Sequence, residues 1–149
     1  SVLIDMGAEI LFHKVRIRPG KPILMARFPD GKIVFGLPGN PVSVAVGFRF
    51  FVNSAIRLMQ GQAKEKSLIA INQLEFKKSE KFYFFAKAKT TVNDQGMLEV
   101  IILEGQESFK LKPFQVANSW AIIPEGLEVI NKDQKIEIVP LNIGESINI

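Results

Sequence analysis

Cysteine is absent from the 149 residues, and histidine occurs once, at His13. Disulfide frameworks, thiolate zinc centres and cysteine nucleophiles are therefore excluded, and a Ser-His-Asp arrangement has no spare histidine to draw on. A chain without cysteine is expected in a reducing, cytoplasmic setting. Long unbroken apolar runs are also missing: the most apolar stretch, 41–59, is interrupted by Arg49 and Asn53. No charged-then-apolar leader follows Ser1, so neither a membrane-spanning helix nor a secretion signal is expected. Acids are scarce in the first part. Residues 1–61 hold eight Lys/Arg against Asp5, Glu9 and Asp30, a net of +5, whereas the remainder holds eleven against twelve. The anion-binding part is expected to be the first.

What is present, 47% hydrophobic and 23% charged residues, fits one globular domain or two small ones. The opening "SVLIDMGAEILF" runs from a helical pattern into a strand with no cap, which leads us to expect entry partway through a larger fold. "LFHKVRIR" (11–18) alternates with period two and predicts one strand, with Leu11, His13, Val15 and Ile17 on one face and Phe12, Lys14, Arg16 and Arg18 on the other. His13, among apolar neighbours and without a companion histidine, is expected to be packed. Pro19-Gly20 ends the strand. "PILMARF" (22–28) predicts a second strand, and a tight turn at Asp30-Gly31 leads into a third.

"GLPGNPVS" then opens a long helix, with Asn40 as N-cap, Pro41 at the first helical position and Gly61 as the stop. Arg49, Asn53 and Arg57 form one narrow polar stripe on it. The rest is so apolar that cover is expected from a sheet on one side and another subunit on the other. After the polar linker 62–67, short β-rich runs separated by "NDQG", "EGQES", "PEG" and "NKDQ" predict an all-β barrel or sandwich over 68–149.

Two features favour anions. At about 3.3 Å rise per residue, cations two apart on one strand face stand roughly 6.6 Å apart. Lys14, Arg16 and Arg18 would then span a diphosphate or two oxyanions, with Lys21 closing beyond the bend. A bland alternative is an edge strand guarded by cations, but a merely soluble face usually mixes its signs. The second feature is the glycine-rich approach to the helix start, where backbone N–H groups and the dipole favour negative charge; the same motif also begins ordinary buried helices. Phe82, Tyr83, Phe84 and Phe85 beside Lys87 and Lys89 resemble a base-stacking platform, yet strand alternation turns two of the rings inward, and core packing is the simpler expectation. The near-neutral charge of that half argues against a nucleic-acid partner. Trp120 is expected in the core.

"FHKVRIRPGKP" (12–22), followed by "VFGLPGNPVSVAVGFRFFVNSAIRLMQG" (34–61), resembles the molybdopterin molybdenumtransferase family of MoeA/gephyrin E-domain type. "FYFFAKAK" and "SFKLKPFQVANSWAIIPEG" match it more weakly. The resemblance implies α/β plus all-β architecture: the C-terminal part of a MogA-like three-layer α/β domain over 1–61, then a linker (62–67) and a small β-barrel or sandwich domain (68–149). It implies insertion of molybdate-derived molybdenum into adenylylated molybdopterin with Mg²⁺ assistance and release of AMP. It also implies a homodimer, contact with the molybdopterin adenylyltransferase, and no nucleic-acid or membrane partner. Family active-site cations fall on Lys14 and Arg18, with Lys21 beside them. Gly39, Asn40, Pro41 and Ser43 would line the pterin and phosphate pocket. Arg18 stands where lysine is common, Lys87 where arginine is frequent, and Lys112 and Pro113 where serines are expected, so no catalytic contribution is expected of the last segment. The resemblance places the magnesium-binding aspartate before Ser1, so the chain alone is expected to be inactive. The alternative is a scaffold of gephyrin type that binds partner peptides in an apolar groove beside the last domain.

Overall fold

The structure, a computed structural model, describes residues 2–149. A short helix α1 (Val2–Asp5) leads into β1 (Glu9–His13), a two-residue strand β2 (Ile17–Arg18), β3 (Leu24–Arg27) and β4 (Ile33–Gly36). Strands β1, β3 and β4 form an antiparallel sheet in that order. The β3–β4 hairpin turns where its sequence predicts. Gly31 takes φ +86, and the Phe28 amide donates to the Lys32 carbonyl.

The predicted strand 11–18 is two strands. A register shift between Ile10 and Phe12 turns Phe12 toward the core and leaves Leu11 and His13 exposed. Lys14 then adopts φ +64, in the left-handed region, and the extended run ends there. Lys14, Arg16 and Arg18 consequently share no strand face, and His13 is not packed.

Pro41 begins a continuous helix built of α2 (Pro41–Gly47), a π-helical turn (Phe48–Val52) and α3 (Asn53–Met59), and Gly61 follows with φ +68. By length and composition this helix could cross a membrane. Its inner face is instead packed: Val42 and Val46 lie in one buried cluster with Ile17, Ile23, Phe85, Trp120 and Val139. Gly47 permits the close approach, since a Cβ there would stand 2.8 Å from Leu37 Cδ2.

Residues 68–149 supply β5 (Leu68–Asn72), β6 (Phe76–Lys77), β7 (Tyr83–Val92), β8 (Leu98–Ile102), β9 (Ser119–Ile123), β10 (Val129–Ile130) and β11 (Lys135–Pro140). The order β7-β8-β5-β11-β9 closes through the β7–β9 pairing, so five strands make a barrel with no free edge. Ala70, Ala86, Ala88 and Ala121 fill its interior with Val100, Ile102, Ile123, Ile136 and Ile138. Such small side chains suit a barrel this narrow. Alternation along β7 sends Phe84, Ala86 and Ala88 inward, while Tyr83 and Phe85 pack outward against the helix. Phe50 stacks on Phe85 at 4.0 Å and meets Trp120 edge-on at 5.9 Å. Strand β2 pairs parallel with the start of β7, Ile17 with Tyr83 and Arg18 with Phe84, and so ties the first segment to the barrel.

Candidate functional site

That pairing decides where the cations go. Arg18, at the end of β2, and Lys21, beyond the Pro19-Gly20 bend, line a cleft of about 760 Å³ between the first segment and the barrel. Gly20 sits in its wall with φ +107, and an added Cβ would approach Ile17 Cδ1 to 3.3 Å, so this bend requires glycine. Arg18 lays its guanidinium over the Phe82 ring, 4.5 Å from the centroid. Among the described residues, neither Arg18 nor Lys21 forms a salt bridge, whereas the exposed Arg16 reaches Glu125 at 3.3 Å. The positive charge left over for a guest is therefore that of Arg18 and Lys21.

The barrel supplies the facing wall, from Phe76 to Ser79 and from Glu104 to Phe109. Lys78 is buried here and donates from Nζ to the Phe82 carbonyl at 2.8 Å and the Ser79 carbonyl at 3.2 Å. Burial pushes its pKa down, with Glu125 and Glu80 pulling the other way. Behind the second wall segment, Lys87 is fully buried on the outer face of β7 and donates to the carbonyls of Gly105 (2.8 Å) and Lys110 (3.0 Å). Its pKa too is lowered by burial, with Glu107 opposing. The Gln106 amide completes the anchorage by exchanging two hydrogen bonds with the Lys87 backbone, at 2.9 and 2.8 Å. Lys110 bonds Glu107 at 2.7 Å and thereby holds that carboxyl below its usual range.

The helix start closes the cleft. Asn40 stands at the N-cap position with extended backbone, but its side chain makes no capping bond. The cap comes from the barrel instead: the Val42 N–H donates to the Ser108 carbonyl at 3.2 Å. Pro41 has no N–H and Val44 donates to Asn40, so less of the helix terminus faces the cleft than its sequence suggests. Asn40 and the buried Ser43 both line the wall.

Of the residues expected at the site, Arg18, Lys21, Asn40 and Ser43 thus come together in one cleft. Lys14, Gly39 and Pro41 do not line it. Lys14 is an exposed turn residue whose amide bonds the Ile23 carbonyl. Phe76 to Ser79 and Glu104 to Phe109 were not foreseen. "EGQES" reads as an ordinary turn, and only the closure of the barrel carries it opposite Arg18. Arg49 departs from the expected polar stripe: it is buried, bidentate to Glu65 and bonded to the Pro140 and Leu141 carbonyls. Among the described residues no group of three His, Asp or Glu side chains could hold a metal ion. The cleft carboxylates are Glu104 and the lysine-bound Glu107.

A second hollow, about 1070 Å³, lies on the other side of β2 between the helix and the barrel. Its walls are mostly apolar and aromatic, including Phe50, Phe51, Tyr83, Phe85 and Ile122, with Arg16 and Arg57 at its edge.

Residues 2–58 match the family model described as a probable molybdopterin binding domain. Over most of its length the chain is similar to proteins named molybdopterin molybdenumtransferase. It is 29% identical over 139 residues to that of Synechococcus elongatus, covering 93% of this chain and 33% of the relative. To that of Staphylococcus aureus it is 32% identical over 135 residues, covering 89% and 32%. The molybdopterin biosynthesis moeA protein of Pyrococcus horikoshii superposes with a TM-score of 0.71 at 28% identity, covering 89% of this chain and 32% of that one. A molybdenum cofactor biosynthesis protein of Pyrococcus furiosus shares the fold, with the same TM-score at 22% identity. The chain spans about a third of the length of the curated relatives it matches.

Proposed function

We propose that this chain contributes an oxyanion- and nucleotide-binding cleft to molybdenum cofactor biosynthesis, in the insertion of molybdate-derived molybdenum into adenylylated molybdopterin with release of AMP. The observation that carries this reading is the cleft of Arg18, Lys21, Asn40 and Ser43, which joins the segment matched by the molybdopterin-binding model to the barrel. Arg18 offers a planar fork for two oxygens of a phosphate or molybdate, and Lys21 a mobile point charge beside it. Both would stabilise negative charge that shifts during transfer, in a site where carbonyl-bound Lys78 adds positive potential from behind.

The chain spans a third of its relatives, so the complete reaction is proposed for the longer architecture, and the chain alone is proposed to bind without turnover. In this reading the Mg²⁺ ligands belong to the longer architecture. The three-layer α/β arrangement of residues 1–61, a cytoplasmic setting and contact with the adenylyltransferase remain part of the proposal. A homodimer is supported by the outer face of the helix, where Val44, Phe48, Ile56 and Met59 are exposed. Calorimetric titration of the chain with molybdate and with AMP tests the reading. Saturable binding of both, weakened about tenfold in Arg18→Ala, supports it; binding of neither refutes it.

A second reading, a peptide-binding scaffold, is favoured by the apolar hollow beside Tyr83 and Phe85. Binding of aromatic-bearing peptides, abolished by Phe50→Ala and left intact by Arg18→Ala, would place function there instead.

A further inference from the structure

We propose that Phe109 is the platform on which the planar ring of the cleft's ligand stacks, and that buried Lys87 acts as the positioning residue that holds it there. This rests on the reading of the cleft as an oxyanion and nucleotide site.

Phe109 lines the cleft and is 68% exposed, more open than Phe48 at 51%. An exposed ring gains little for folding, because most of its apolar surface stays in water. Its neighbours are nevertheless fastened on both sides. Ser108 gives its carbonyl to the Val42 amide, the Lys110 carbonyl takes a bond from Lys87 Nζ, and the Lys110 amide donates to the Glu107 carbonyl at 3.0 Å. A loop tied so firmly has no need of an exposed aromatic at its tip for its own stability. Lys87 itself is buried without a carboxylate bonded to it, which costs desolvation. What its ammonium does instead is draw two carbonyls inward, from Gly105 and Lys110, so that the residues between them arch toward the cleft. Gly105 permits the arch with φ +73.

The opposite side of the cleft carries Arg18 and Lys21. On the barrel wall Lys77 is paired with Glu75 and Lys78 is bonded to carbonyls, so free cations on one wall and an open ring on the other suit a ligand with an anionic group at one end and a flat heterocycle at the other. The cations take the anion, and the ring takes the π face. An inorganic oxyanion would use the cations alone. Phe109 therefore sets selectivity for ring-bearing ligands, while Lys87 touches no ligand.

The test is titration of the full chain with AMP and, separately, with molybdate. Phe109→Leu and Phe109→Ala are expected to weaken AMP binding by roughly tenfold, within the range of single-ring stacking, and to leave molybdate binding and thermal unfolding unchanged. Phe109→Trp retains AMP affinity. Lys87→Met weakens AMP by a similar factor, and adding Phe109→Leu to it gives no further loss, as expected when the two act through one contact. AMP affinity unchanged in Phe109→Leu, with molybdate still bound, overturns the stacking role and leaves the cleft reading standing. A full second tenfold loss in the double variant overturns the role of Lys87. Wild-type chain that binds neither ligand ends the cleft reading and this inference together.

Discussion

Arg49 and Glu65 form a two-pronged ion pair, with Nη1 and Nη2 at 2.9 and 2.8 Å from the two carboxylate oxygens. The arginine side chain is 5% exposed and the glutamate 23%. The π-helical turn carries Arg49 inward, where Nε and Nη2 also meet the carbonyls of Pro140 and Leu141. One side chain thereby joins the helix, the segment that leaves it and the last barrel strand. Loss of one partner from a buried pair costs about 3–5 kcal/mol, because the remaining groups stay desolvated. Arg49→Met should lower unfolding free energy by about 3 kcal/mol in urea titrations. Glu65→Gln leaves the buried guanidinium without its counter-charge and should cost about 2 kcal/mol, with the surviving carbonyl bonds holding the loss below the full range.

Cleft residues should separate from turn residues. Arg18→Ala and Lys21→Ala are each expected to weaken molybdate binding by about tenfold, the order of one charge-assisted contact. Both side chains are exposed, so melting should be unaffected. Lys14→Ala, away from the cleft wall, should change affinity less than about twofold, a screened long-range effect. Calorimetry on the three variants measures this directly.

The buried Lys87 makes a prediction about alkaline pH. Burial lowers its pKa in the folded chain below the ordinary value of 10.5, so the unfolded chain binds the proton more tightly. The stability linked to Lys87 therefore increases as pH rises through the interval between the lowered value and 10.5, and is lost as pH falls through the lowered value. Unfolding free energy of wild type minus that of Lys87→Met should rise as pH is raised toward 10.5. A flat difference would contradict the burial. Tyr83, raised by its own burial, contributes the opposite slope in both proteins and cancels.

Gly105→Ala tests the arch of the cleft wall. The new Cβ would stand 3.2 Å from Pro113 Cγ in a residue with φ +73. A left-handed non-glycine residue costs roughly 1–2 kcal/mol. A similar loss of stability is expected in thermal melts, together with weaker AMP binding as the loop shifts.

Much of this was legible along the chain because it is written in local rules. Asp30-Gly31 marks a hairpin, Pro41 and Gly61 bracket a helix, and the β-rich runs after residue 67 announce an all-β segment. Arg18 and Lys21 stood out as unpaired cations and Asn40 and Ser43 through the family resemblance, and the four line one cleft. Other features escaped for identifiable reasons. The alternation of 11–18 hides a register shift and a left-handed Lys14, neither of which alternation can report. Asn40 looks like a cap, and the Ser108 carbonyl does the capping. Arg49 looks like part of a solvent stripe because hydrophobic period says nothing about a carboxylate sixteen positions further on.

By itself, then, the amino-acid order determined the β3–β4 turn, the bounds of the long helix, the all-β character after residue 67 and the surplus of positive charge in the first segment, since each follows from backbone sterics and composition within a few residues. Tertiary structure alone decided which cations meet. Closing the barrel and pairing Ile17-Arg18 with Tyr83-Phe84 split Arg16 from Arg18 and brought residues 104–109 opposite the cations, because strand pairing joins residues by register and not by distance along the chain.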